Sequence, residues 1–220
     1  MKKPSEVSFL ITLLLAAALC THGKEFVKDN DGNPVEVGKK YYMLPVKTES
    51  NTGGGLVPAN TDLHPDCPLG IIQTIRPYTM GTPVSLDFPH RVMETYVPLA
   101  SAVTIEFKYD NWAMCNEYSK FWKVDDSSSA IVIGGNPEDQ NSLFKIEKSG
   151  EYGLGANTYK LSTLTGTVGT IPGAWSGSAP QLVVTNDNAK TLPVKFYKVD
   201  DSTTTTSLVE KLRLRMFPFY

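Results

Sequence analysis

The stretch that decides the fold is VKDNDGNPVEVGKKYYM, residues 27–43. Val27 begins an apolar strand, and Asp31-Gly32 favours a tight turn because glycine reaches positive φ at little cost. A second apolar position follows the turn, and Tyr41-Tyr42 then brings two large rings that need to be buried. The pattern predicts a strand, a turn and a further strand that begins at the tyrosine pair.

Short alternating runs of apolar residues continue this pattern along the chain, whereas helical periodicity is almost absent after the first 23 residues. The clearest runs are Val103, Ile105 and Phe107; Leu192, Val194 and Phe196; and Leu212, Leu214 and Met216. Clusters rich in Gly, Pro, Asn, Asp and Ser separate the runs and indicate hairpins and loops. The fold class is therefore predicted to be all-β.

An internal repeat points to a symmetric architecture. The heptapeptide KFWKVDD at 120–126 is nearly repeated as KFYKVDD at 195–201, and a Ser/Thr-rich run follows each copy. Repetition of this kind suggests rotational symmetry, although chance or a shared strand-to-turn solution would also produce it.

The N-terminus has the layout of a secretory signal peptide: Lys2 and Lys3, an apolar run at 9–19, then small and polar residues. We expect cleavage near Gly23, with a cut after Cys20 as the alternative. A membrane anchor is disfavoured because the apolar run is too short to span a bilayer. Removal of residues 1–23 also removes Glu6, so 19 basic residues face 22 acidic ones and the net charge is about −3. Residues 24–220 then suit a single domain that is secreted to the cell exterior, with the vacuole as the alternative destination.

Two cysteines, Cys67 and Cys115, remain after cleavage. An even pair in an oxidising compartment predicts one disulfide, and two free buried thiols are the alternative. The acidic balance gives no nucleic-acid footprint, and no metal-ligand spacing or cofactor motif is present, so neither a metal nor a cofactor is expected.

Residues 27–43 resemble the N-terminal signature of the plant Kunitz-type (soybean trypsin inhibitor-like) protease inhibitors. The similarity covers nearly the whole mature chain and continues at 67–73, 144–147, 159–161, 182–184 and 192–196. The resemblance implies a β-trefoil, which is a six-stranded barrel closed by three hairpins. It also implies a monomeric, non-enzymatic plant defence protein that presents a substrate-like loop to a secreted or vacuolar protease, most typically of the serine class.

The same resemblance places the reactive loop between the two cysteines, in the stretch 81–97. It assigns the loop to Pro89, His90, Arg91 and Val92, with Arg91 entering the specificity pocket of a trypsin-like enzyme and Val92 beyond the reactive bond. A solvated Arg91 at a strand end, or His90 in its place, is the alternative. Pro89 would limit the freedom of the loop before binding.

Two positions depart from the family pattern. Val37 stands where an asparagine commonly supports the reactive loop, which predicts a more mobile loop. Leu164 stands where the second disulfide would have a cysteine, so the segment Thr163–Ala179 is left without a cross-link. This segment contains Trp175, which is either a secondary partner contact or packed over the barrel end. The C-terminal segment 208–220, which ends in aromatic residues, is expected to cap the barrel.

The functions that compete with protease inhibition are catalysis, carbohydrate binding, a defence or storage role, and inhibition of another hydrolase class. An enzyme is not expected, because only His64 and His90 remain after cleavage and no nucleophile elbow, zinc-spaced histidine pair or phosphate-binding loop is present. A carbohydrate-binding trefoil is disfavoured because Gln73, Gln140 and Gln181 lack a tryptophan two residues on. A defence or storage role without strong inhibition, and inhibition of another hydrolase class, stay open.

Overall fold

The computed structural model describes residues 24–48, 51, 53–109, 114–150, 154–173 and 179–200. This part of the chain forms twelve strands: β1 Tyr41–Pro45, β2 Leu56–Ala59, β3 Gly70–Gln73, β4 Val84–Asp87, β5 Ala102–Phe107, β6 Trp122–Val124, β7 Ile131–Ile133, β8 Phe144–Lys148, β9 Tyr159–Ser162, β10 Thr167–Ile171, β11 Gln181–Thr185 and β12 Val194–Lys198. Two short 3-10 turns, Gln140–Ser142 and Asn188–Lys190, lie between strands. No helix among these residues is long and apolar enough to cross a bilayer.

Six strands close into a barrel. The antiparallel order is β12-β1-β4-β5-β8-β9, and the pairing of Val194 with Tyr159 joins β12 back to β9. Closure leaves no free edge, which removes the usual template for strand-to-strand aggregation. The barrel confirms the predicted all-β class and the β-trefoil.

Three hairpins, β2–β3, β6–β7 and β10–β11, are joined to one another in a second ring. Three single-residue pairings make this ring: Gln181 with Ile72, Gly70 with Val132, and Ala130 with Val183. The hairpin β10–β11 uses residues 167–171 of the segment Thr163–Ala179, so part of that segment is paired strand rather than loop.

Alternation along the strands fills the barrel. Val103, Ile105 and Phe107 of β5 are fully buried, as are Val194 and Phe196 of β12. Tyr41 is buried and Tyr42 is half-buried, because successive residues of a strand point to opposite faces. The predicted alternating runs are thus confirmed where they are described, and the run at 212–216 lies outside the described residues.

The internal repeat does not mark equivalent strands of the trefoil. Its first copy begins β6, a hairpin strand, whereas its second copy lies in β12, a barrel strand. The copies also have opposite burial: Trp122 is buried and matches the half-buried Tyr197, whereas the half-buried Phe121 matches the buried Phe196. The two copies therefore do not occupy symmetry-related strands, and the symmetry of the fold does not come from the heptapeptide.

Candidate functional site

The candidate site is the connection between β4 and β5. Phe88 packs against the core and Pro89 is half-buried, whereas the next four residues, His90, Arg91, Val92 and Met93, are exposed. The stretch 88–93, called the projecting loop below, therefore presents one basic and apolar surface to solvent. No acidic residue lies within it.

The projecting loop leaves the barrel from a firmly held strand end. Asp87, the last residue of β4, pairs with Thr104, whose hydroxyl donates to the Asp87 carbonyl oxygen at 3.2 Å. The Asp87 carboxylate accepts a hydrogen bond from the Ser85 hydroxyl at 3.1 Å. Burial raises the pKa of Asp87, against the opposing effect of that hydrogen bond. This flank of the loop is thus fixed by the β4–β5 ladder.

The other flank is held by the N-terminus of the described chain. Residues 95–97 pair with residues 35–37, and residues 97–99 pair with residues 25–27; we call this arrangement the N-terminal clamp. Four backbone hydrogen bonds of 2.8–2.9 Å make it, from Val27 N to Val97 O, Leu99 N to Glu25 O, Val97 N to Val35 O, and Val37 N to Thr95 O.

Side chains reinforce the clamp directly beside the projecting loop. The rings of Phe26 and Tyr96 meet edge to face, with centroids 5.8 Å apart. The Lys24 ammonium group pairs with the Glu94 carboxylate, immediately after the exposed residues. Both contacts join residues 24–26, which would begin the mature chain under the predicted cleavage, to the end of the loop.

The two halves of the clamp meet because of the turn predicted at Asp31-Gly32. The buried Asp29 carboxylate accepts hydrogen bonds from the backbone N–H of Asp31 at 3.0 Å and of Asn33 at 2.9 Å. Gly32 has φ +87°, a conformation that a side chain would strain. The turn therefore depends on the residues of the opening sequence motif.

Two buried tyrosines attach this N-terminal hairpin to the barrel. The Tyr41 hydroxyl accepts a hydrogen bond from Glu36 N at 3.0 Å, and the Tyr159 hydroxyl accepts one from Lys28 N at 2.8 Å. Burial raises the pKa of both phenols, which remain neutral donors and acceptors at physiological pH. The clamp is thus carried by the barrel core.

Val37 contacts the flank of the loop through its backbone, a contact that the identity of its side chain does not predict. The side chain packs against the core, while its backbone N–H donates to the Thr95 carbonyl oxygen at 2.9 Å. A main-chain hydrogen bond therefore holds the loop flank at the position where an asparagine was expected. The greater loop mobility expected from valine stays a prediction.

The predicted disulfide between Cys67 and Cys115 is present, with Cα atoms 5.6 Å apart, and the alternative of two free thiols is wrong. It joins the β2–β3 connection to the segment before β6, and the clamp contacts described above involve neither of these segments. Trp175, the predicted signal peptide at 1–23 and the C-terminal segment 208–220 lie outside the described residues.

A cluster that the sequence did not reveal joins two hairpin tips. The Ser128 hydroxyl donates to the Asp125 carboxylate at 2.6 Å, and His64 Nε2 lies 3.2 Å from that hydroxyl and 3.5 Å from the carboxylate. Hydrogen bonds from the hydroxyls of Ser127 and Ser128 lower the pKa of Asp125 to about 2. One imidazole nitrogen faces both partners, whereas a catalytic triad needs the carboxylate and the nucleophile on opposite nitrogens. The cluster therefore serves to hold the two hairpin connections together.

Comparison with known proteins agrees with this geometry. A family model described as trypsin and protease inhibitor, Kunitz legume type, matches residues 27–198. The chain belongs to this family. Its members are protease inhibitors rather than enzymes, which confirms the prediction that this chain is not an enzyme.

Individual relatives refine the picture. The chain is 59% identical to Kunitz trypsin inhibitor 2 of Arabidopsis thaliana over 212 residues, which covers 94% of this chain and 97% of that one. A structure of the water-soluble chlorophyll protein from Brassica oleracea var. Botrytis with chlorophyll b is 53% identical, with TM-score 0.71, covering 80% of this chain and 100% of that one. Soybean trypsin inhibitor in complex with porcine pancreatic trypsin is 28% identical, with TM-score 0.64 and the same coverage.

Proposed function

We propose that the protein is a secreted inhibitor of a serine endopeptidase, with the projecting loop as its substrate-like surface and Arg91 as the residue that enters the specificity pocket. The observation that carries the proposal is an exposed stretch of four residues fixed on both flanks, by the β4–β5 ladder and by the N-terminal clamp. The solved complex of a family member with trypsin supports a protease as the partner.

Fixed flanks matter because a protease cleft binds an extended backbone, and ordering that backbone costs conformational entropy. In this chain the flanks are ordered before any partner arrives, and Pro89 restricts the entry to the exposed residues. Less ordering is then left for the moment of binding. The loop can remain bound without rapid release, which separates an inhibitor from an ordinary substrate.

Charge favours a trypsin-like enzyme over one with an apolar pocket. Arg91 is exposed, always charged, and suited to a pocket floored by a carboxylate. The nearest acid in sequence, Glu94, is paired with Lys24 and does not offset the charge of Arg91. His90 lies beside it and is the neighbouring candidate for the same pocket.

We extend the proposal to the state of the protein in the plant. Residues 1–23 act as a signal peptide, the mature chain 24–220 is a monomer, and its site of action is the cell exterior or the vacuole, where it contributes to defence. The support is the apolar run at 9–19 and the presence of a disulfide, a bond that persists in oxidising compartments. Amino-terminal sequencing and light scattering of protein purified from plant tissue test this part.

Inhibition constants of three proteins against trypsin test the main proposal: the mature chain, Arg91→Ala and Arg76→Ala. Arg76 is the matched control, because it is an exposed arginine on a different connection, between β3 and β4. We expect Arg91→Ala to weaken inhibition about thirtyfold or more, the size of a hot-spot loss, and Arg76→Ala to have no effect.

His90→Ala decides between the two candidate residues of the loop. If His90→Ala abolishes inhibition while Arg91→Ala does not, the specificity residue is misassigned. A mature chain that leaves trypsin fully active at micromolar concentration refutes the serine-protease proposal itself. The same protein is then assayed against proteases of other classes.

A second candidate function is chlorophyll binding, favoured by the 53% identity to a water-soluble chlorophyll protein. A surface groove of the described chain, of about 550 Å³, is lined mostly by polar residues such as Asp126 and Glu138, whereas a pocket for a large ring system is mainly apolar. A second groove, of about 520 Å³, combines polar residues such as Asn51 and Lys190 with apolar ones such as Ile75 and Leu192. Gel filtration after mixing with chlorophyll b tests the candidate: pigment that elutes with the protein supports it, and pigment-free protein refutes it.

A further inference from the structure

Met93 is the most exposed apolar side chain of the described residues, at 105% of its reference area. It lies in the projecting loop, two positions after the Arg91–Val92 bond. Apolar groups at such a position are expected to be buried only in a complex, because none of the described residues covers this side chain. Its thioether sulfur is therefore open to small reagents in solution.

We propose that the Met93 sulfur is an oxidation site at which hydroperoxides weaken the binding of the projecting loop to its protease. This inference rests on the proposed function for its effect on binding, but the assignment of the site does not. A sulfur lone pair attacks one peroxide oxygen, the O–O bond breaks, and the S–O bond forms. The transferred oxygen loses its proton, and the departing oxygen takes up a proton and leaves as water from hydrogen peroxide or as an alcohol from an alkyl hydroperoxide, so sulfur is oxidised by two electrons and the peroxide is reduced.

Exposure ranks the other described methionines behind Met93. Met114 is 53% exposed and Met80 is 39% exposed, whereas Met43 lies in the barrel core at 1%. Oxidant access follows exposure, so the sulfur of Met93 is expected to react first and that of Met43 only on unfolding. The molecule thus carries its own internal standards for selectivity.

The consequence for binding follows from the chemistry of the product. Methionine sulfoxide is polar and chiral, whereas methionine is flexible and apolar. A docked loop places this side chain against the protease, where a buried sulfoxide oxygen without a donor is unfavourable. We expect an inhibition constant about tenfold higher. The fold itself should be unaffected, because the Met93 side chain is not part of the core.

The test treats the folded mature chain with increasing hydrogen peroxide. Peptide mapping by mass spectrometry follows each methionine, including Met216, which lies outside the described residues. Inhibition of trypsin is measured on the same samples, before and after reduction by methionine sulfoxide reductases. Met93→Leu is compared with its own untreated sample, and Met114→Leu serves as the control outside the loop.

The proposal predicts that Met93 is oxidised first, that inhibition weakens in step with it, and that reductase restores inhibition. It also predicts that peroxide leaves the inhibition constant of Met93→Leu unchanged. Faster oxidation of Met114 or Met80 overturns the site assignment, and unchanged inhibition by fully Met93-oxidised protein overturns the effect on binding. Untreated protein that fails to inhibit trypsin refutes the proposed function instead, and the mapping still tests the site.

Discussion

The N-terminal clamp gives a prediction that separates support of the loop from support of the fold. In Phe26→Ala, the edge-to-face contact with Tyr96, at a centroid distance of 5.8 Å, is lost. Such aromatic pairs contribute about 0.5–1.5 kcal/mol beyond their buried area. If that free energy holds residues 95–99 in place for binding, the inhibition constant rises about two- to twelvefold. Cleavage of the Arg91–Val92 bond by trypsin should accelerate as well, because a looser loop behaves as a substrate.

The assay combines three measurements on one preparation: the trypsin inhibition constant, the rate of cleavage of the loop by mass spectrometry, and the free energy of unfolding in urea. Tyr78→Ala is the matched control, because Tyr78 is an exposed aromatic residue outside both the clamp and the loop. The clamp does not support the loop if Phe26→Ala lowers the free energy of unfolding and leaves inhibition and cleavage at their original values. In that case the clamp stabilises the barrel alone.

Three further predictions concern the frame around the site. Replacing Cys67 and Cys115 by alanine should lower the free energy of unfolding in urea by about 4 kcal/mol, the loop-closure value for a separation of 48 residues. Inhibition by the folded variant should stay within about twofold, and a larger loss would show that the disulfide also supports the loop. Gly55→Ala should lower the free energy of unfolding by about 3 kcal/mol, because a Cβ there would lie 2.0 Å from a backbone oxygen. Gly32→Ala has open space around the new Cβ but φ +87°, and should lower it by about 1 kcal/mol. Equal melting temperatures of the two variants would contradict this. Because hydrogen bonds from serine hydroxyls lower the pKa of Asp125 to about 2, its stabilising contribution is present above about pH 4 and is lost as the pH falls toward 2. Urea unfolding of Asp125→Asn should lack this acid-sensitive part, and an identical pH profile would refute the assignment.

The features predicted correctly from sequence depend on local pattern. Alternation with period two is enough to assign β5 and β12, because burial on one face of a strand requires it. The turn at Asp29–Asn33 follows from residues within five positions of one another. The pairing of Cys67 with Cys115 follows from counting, since Cys20 falls within the predicted signal peptide and only two other cysteines are present. Each inference needed no knowledge of distant neighbours.

The features that sequence did not predict are contacts between distant segments. Lys24 and Glu94 are 70 residues apart, and no local pattern marks them as partners. The role of Val37 was missed for a related reason: its loop contact is made by the backbone, which every residue except proline can make. The internal repeat does not predict the position of its copies in the fold, because similar residues form strands of opposite burial and burial is set by the neighbours of each strand.

The residues that hold the barrel and the loop flanks are different from the exposed residues of the projecting loop. His90, Arg91, Val92 and Met93 contribute no buried side chain to the core, so changes among them cost the fold little. The residues that hold the flanks are buried and bonded to distant segments: the Asp29 carbonyl oxygen accepts from the Asn157 side chain at 3.0 Å, and Val97 bonds to Val27 and Val35. This division allows one trefoil to serve different partners, as with the trypsin inhibitor at 28% identity and the chlorophyll protein at 53%. Sequence identity across the chain then reflects the buried residues that hold the fold, and the partner has to be inferred from the exposed loop residues.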